Sequence, residues 1–287
     1  MLHDGAEHRG ASLLGRAPWL FPARRAAHKG DRAASLNRGW LYRRRANIGP
    51  KEANRRRKGG IVKTSSRNRP LILLPGGPGL GNYLGPLAEL VASDARTILP
   101  DPPAVGGSQV GPEAIVAMIS ELEGLRAEMS LRKWIVGGHS FGADLALAYA
   151  LEHPDRVAGV LSISGTGVQD DRQWHAAYEA GRAAGRDPDH LDGIAFDADA
   201  HRTGLAAWRA YIKQPDLLRR IARLPVPFQA VYGSEDVRPN WPNEQLAGLV
   251  PDGRMTVIEG AGHWPWLTHP RETVAITRGF LERVLGS

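Results

Sequence analysis

The sequence predicts an α/β protein, a mostly parallel sheet with helices on both faces and a helical lid inserted over the site. Three observations carry that expectation. From Pro70 onward, short apolar runs alternate with amphipathic stretches, as strand and helix units do. Residues 137–143, Gly-Gly-His-Ser-Phe-Gly-Ala, join an apolar run directly to an apolar helix. Residues 165–225 then interrupt the rhythm with charged and aromatic helical patterns before it resumes.

In chain order, residues 71–74 read as a first strand, 83–91 as a helix and 97–99 as a second strand, followed by a Pro/Gly-rich loop at 101–111. Pro112 opens a helix to about Met129, with Ile115, Val116, Ile119, Leu122 and Leu125 on one face. Residues 134–136 form the strand before the seven-residue motif, and residues 143–150 belong to the helix after it. Residues 157–164 read as a buried strand. Beyond the lid come a strand at 228–232, a helix at 243–249, a last strand at 255–258 and a closing helix at 272–285.

Composition narrows the function. The 287 residues include no cysteine, which excludes disulfides, thiolate metal sites and a cysteine nucleophile. No stretch approaches the roughly 20 apolar residues of a membrane helix, so a cytoplasmic protein without membrane contact is expected. The net charge of +7 is unevenly spread: residues 1–69 hold 18 Lys+Arg against 4 Asp+Glu, and the remainder 19 against 26. Residues 1–60 are expected to be a disordered basic extension, the one part suited to nucleic acid, and residues 61–287 the folded domain with its lid at 165–225. Before Pro70 only Ile61 and Val62 offer a strand, so the sheet is expected to be short at that edge.

The chemistry centres on Ser140. A strand that turns into a helix within one residue forces the serine into strained angles, which small neighbours such as Gly138 and Gly142 tolerate. A serine hydroxyl is a weak nucleophile at neutral pH and needs a base with a group to orient it. His263, in Glu-Gly-Ala-Gly-His after the last strand, and Asp236, in Tyr-Gly-Ser-Glu-Asp after the strand before it, are the candidates. Both follow strands at the edge where parallel sheets build their sites. No His or Asp spacing suits a metal, and the chemistry calls for neither metal nor cofactor.

The order Ser, Asp, His, with the elbow at 137–143, the acid loop at 232–236 and the histidine loop at 259–270, resembles the α/β-hydrolase fold across residues 70–287. Pro75-Gly76-Gly77-Pro78-Gly79 is similar to the His-Gly-Gly-Pro-Gly loop of the proline iminopeptidase branch, with proline in place of histidine. The resemblance implies an oxyanion hole from the backbone N–H groups of Gly77 and Phe141. It also implies a serine hydrolase acting on an ester or amide of a small substrate or short peptide through an acyl-enzyme, with activity rising as a neutral histidine forms around pH 6.5 or so. Aminopeptidase activity on N-terminal proline is the alternative, with Asp170, Asp171 or Glu179 holding the amine, and a non-catalytic binding protein is the third. Trp174, Tyr178, Glu179, Trp208 and Trp264 are the expected substrate-binding residues.

Overall fold

A computed structural model describes residues 70–103, 111–186 and 191–286. The basic extension, the strand expected at 61–62 and the loop residues 104–110 lie outside the described residues. The first half of the domain runs β1 (Leu71–Leu74), α1 (Gly85–Leu90), β2 (Thr97–Ile98), α2 (Pro112–Glu128), β3 (Trp134–His139), α3 (Phe141–Glu152) and β4 (Val157–Ile163). The lid contributes α4 (Arg172–Ala183), α5 (Ala198–Tyr211) and α6 (Leu217–Ile221). Then follow β5 (Phe228–Gly233), α7 (Trp241–Leu249), β6 (Gly253–Ile258), α8 (Pro265–Thr268) and α9 (Pro270–Gly286).

The strands form one parallel sheet in the order β2-β1-β3-β4-β5-β6. β1 is apolar at every position because it is covered on both faces. Its side chains alternate: Ile72 and Leu74 join Met118, Val136, Phe141 and Phe228 on one face, while Leu71 and Leu73 join Leu87, Ile135, Leu161 and Phe280 on the other. Each such side chain contributes about 1.5–3 kcal/mol by leaving water.

The chain leaves β1 for the edge strand β2, then returns past β1 to β3, so the winding reverses between β1 and β3. Sites form at the carboxyl ends of strands at such a reversal, and here it sets the 75–80 loop after β1 beside Ser140 after β3. β3 runs three residues further than the expected 134–136. Gly137 and Gly138 weaken a strand signal, yet they pair in register with Leu161 and Ser162 of β4. Among the described residues, no helix is long and apolar enough to cross a membrane.

Candidate active site

Ser140 stands between β3 and α3 at φ 54 and ψ −126. A non-glycine residue there costs about 1–3 kcal/mol, which the surrounding packing offsets. Its amide donates to the Ile163 carbonyl at 2.9 Å, tying the turn to the end of β4. Its hydroxyl makes no capping bond to α3 and stays uncommitted to the helix. The turn also needs close backbone approach. A Cβ on Gly142 would lie 2.2 Å from the Leu74 carbonyl oxygen, and one on Gly138 2.3 Å from the Gly142 carbonyl carbon.

Phe141 is the first residue of α3, so its N–H has no acceptor within the helix, and the helix dipole favours negative charge in front of it. Facing it is the loop after β1. Gly77 has φ 53 and its carbonyl accepts the Leu80 N–H at 2.9 Å. A Cβ on Gly76 would sit 2.7 Å from the Cβ of Ser140, so this loop runs directly against the serine. A small recess beside Gly77 and Phe141 is lined by Leu74, Pro78, Pro102, Met118 and Leu145, with no charged side chain among the described residues.

Asp236 and His263 come from the loops after β5 and β6. His263 Nδ1 lies 2.7 Å from Asp236 Oδ2, with the two side chains 5% and 0% exposed. The carboxylate only accepts, so Nδ1 carries the proton and Nε2 of the neutral ring keeps its lone pair. The other carboxylate oxygen accepts the Arg238 backbone N–H at 3.0 Å and its guanidinium at 3.2 Å. Burial pushes the Asp236 carboxyl up, but the charges and hydrogen bonds of His263 and Arg238 outweigh it and hold the group below its ordinary 3.8. A carboxyl so depressed stabilises the fold above that ordinary value, and the contribution is lost as pH falls through the lower folded one. Glu235, its neighbour in sequence, is exposed.

A family model for the alpha/beta hydrolase fold matches residues 69–209. A proline iminopeptidase of Lactobacillus helveticus is 24% identical over 275 residues, covering 78% of this chain and 93% of that protein. Among solved structures, a thermophilic esterase from Thermogutta terrifontis aligns with a TM-score of 0.58 at 24% identity, over 75% of this chain and 90% of that one. A proline iminopeptidase of Mycobacterium smegmatis aligns with a TM-score of 0.54 at 18% identity, over 76% and 90%. The chain has the α/β-hydrolase fold.

Within this α/β-hydrolase fold, the residues expected to bind substrate stand in other contacts. Trp174 donates to the Pro239 carbonyl at 3.2 Å, and Tyr178 accepts from Arg238 at 3.1 Å while its ring lies 4.6 Å from that guanidinium. Both therefore brace the acid loop from the lid. Trp208 is buried behind Phe141, stacked on Tyr211, and donates to Gly167 at 3.3 Å. Trp264 is buried among Tyr83, His139 and Trp266, and Glu179 is exposed on α4. Of the three acids considered for an amine, two are engaged: Asp170 faces His175 at 3.3 Å and Lys213 at 3.7 Å, and Asp171 caps α4.

The lid is tied to the loop after β1 by contacts that no local pattern announces. Gly81 N–H donates to Ala195, Asp197 N–H donates to Gly79, both at 2.9 Å, and Leu80 bridges Phe196. His201 on α5 donates through Nδ1 to the Pro78 carbonyl at 3.2 Å. Asp144 anchors the other end of the lid. Its buried carboxylate accepts the N–H groups of Thr166 and Gly167, at 3.0 and 2.9 Å, and the Thr166 hydroxyl. Burial pushes its carboxyl up to about 7 against those three donors. Its signal was present in the sequence, since Asp144 is the one charged residue within 141–150.

Proposed function

We propose that the chain is a serine hydrolase of small, uncharged esters. Ser140 is the nucleophile, His263 the base and Asp236 the group that orients it, with the N–H groups of Gly77 and Phe141 as the oxyanion hole. The observation that carries this reading is the buried Asp236–His263 pair on loops at the same sheet edge as a positive-φ serine. His263 Nε2 takes the Ser140 proton as Oγ adds to the ester carbonyl. The oxyanion is stabilised by the two amides, roughly 3 kcal/mol for one such donor. Collapse expels the alcohol, which takes the proton from His263, and leaves acyl-Ser140. Water then gives a proton to His263 and attacks the acyl carbon, and the carboxylic acid departs as Ser140 regains its proton.

Ester rather than aminopeptidase specificity is favoured by the uncharged recess beside the oxyanion hole and by the engagement of Asp170 and Asp171 elsewhere, which leaves the exposed Glu179 alone of the three acids considered. A substrate ammonium left without a carboxylate loses about 3 kcal/mol or more, so turnover of p-nitrophenyl acetate or butyrate should exceed that of prolyl p-nitroanilide by roughly 100-fold. The comparison uses kcat/KM with Ser140→Ala as the blank. Preference for the prolyl amide would replace this reading with the aminopeptidase one, which the likeness to the Lactobacillus helveticus enzyme favours.

Asp236→Asn tests the orienting role. An amide that donates to Nδ1 places the imidazole proton on Nε2, where the ring no longer accepts one, so kcat on p-nitrophenyl acetate should fall by about 10³–10⁴. Turnover above half that of the wild type would remove Asp236 from the mechanism.

A further inference from the structure

His139 precedes Ser140 and is only 1% exposed, yet both of its ring nitrogens are hydrogen-bonded. Nε2 lies 2.9 Å from the backbone carbonyl of His263. A carbonyl accepts only, so Nε2 carries the proton. Nδ1 is then the acceptor, and the Tyr83 hydroxyl 2.6 Å away must donate to it. With its proton so directed, the Tyr83 oxygen accepts the Gly76 N–H at 2.7 Å. The direction of every bond follows from the first, giving one continuous chain: Gly76 N–H to Tyr83, Tyr83 to His139, His139 to the His263 carbonyl.

We propose that Tyr83 and His139 are positioning residues, a buried relay that holds the oxyanion loop and the backbone of the catalytic histidine in register with the nucleophile. The inference rests on the serine-hydrolase reading above. The relay touches each part of that machinery beside the reacting group: Gly76 precedes Gly77, His139 precedes Ser140, and the His263 carbonyl belongs to the residue that bears the base. It also takes up the Gly76 N–H, leaving Gly77 as the donor of that loop. Rings enclose it, with Trp264 and Trp266 at 4.8 and 4.7 Å from His139 and His263 at 4.4 Å. Burial and the neighbouring His263 hold His139 far below its ordinary 6.5, and burial raises Tyr83, so both stay in the neutral forms the relay requires.

The test uses the full chain with p-nitrophenyl acetate. Tyr83→Phe and His139→Leu each remove two of the three hydrogen bonds, and misplacement of this kind should lower kcat by about 10- to 100-fold while KM stays within about threefold. His139→Gln offers an amide N–H to the His263 carbonyl and an amide oxygen to Tyr83, and should recover kcat to within about fivefold of wild type. Wild-type kcat in Tyr83→Phe, a loss carried by KM, or His139→Gln as impaired as His139→Leu would overturn the relay.

A second measurement does not depend on any variant folding. Nitrogen-15 spectra of histidine-labelled wild type should show His139 protonated on Nε2 alone, and a proton on Nδ1 would contradict the proposal. It also separates the two ideas. Absence of any Ser140-dependent turnover would defeat the catalytic reading, whereas the tautomer reports on the relay itself.

Discussion

Replacing Ser140 with alanine should reduce turnover of p-nitrophenyl esters by about 10⁴-fold or more, leaving the residual rate that binding and the oxyanion hole supply. Alanine keeps the Cβ and therefore the strained backbone, so the thermal midpoint should hardly move. Ser140→Gly should be equally inactive but more stable by about 1 kcal/mol, because glycine occupies φ 54 without steric penalty. A nucleophile held in strain for its position has this signature, activity lost and stability gained in one substitution. Calorimetry on the two variants beside ester kinetics makes the check. An active alanine variant would remove Ser140 from the chemistry, and a glycine variant less stable than wild type would remove the strain argument.

Gly142→Ala should damage the fold most for the smallest change. The added methyl would meet the Leu74 and Pro75 carbonyl oxygens at 2.2 and 2.5 Å, and both belong to backbone that has no rotamer to change. Overpacking of this kind costs about 3 kcal/mol or more. For a domain of this size that is roughly 6–12 °C in Tm. Ester turnover should fall with it, since relief of the clash moves α3 away from β1 and Phe141 away from Gly77. Gly124→Ala is the internal comparison: it is exposed on α2 with nothing within 4 Å of the added carbon. There alanine should stabilise by about 0.5–1 kcal/mol through its better helix propensity. Equal thermal midpoints for the two variants would refute the close-approach account of the elbow.

Most of the architecture was legible because strand and helix periods differ and because burial on both faces leaves apolar runs such as Leu-Ile-Leu-Leu in β1. The elbow was legible for the same local reason, two glycines flanking a serine at a strand end. What the sequence left ambiguous depends on contacts between distant segments. Glu235 and Asp236 are adjacent acids with the same local context, and only the fold exposes one and buries the other against His263. Trp174 and Tyr178 carry a pattern that suits a substrate cleft as well as a brace on Pro239 and Arg238, about 60 positions along the chain. His139 occupies the variable position of the elbow, so its two hydrogen bonds, to Tyr83 and across to residue 263, leave no trace in local spacing.

Reaction with a fluorophosphonate followed by intact mass and peptide mapping tests the central assignment most directly, because phosphonylation marks the activated hydroxyl itself. One adduct should form, on Ser140, with ester turnover lost in proportion, and the Ser140→Ala chain should stay unmodified. An adduct on another residue that abolishes turnover, or ester turnover that persists with Ser140 fully phosphonylated, would contradict it.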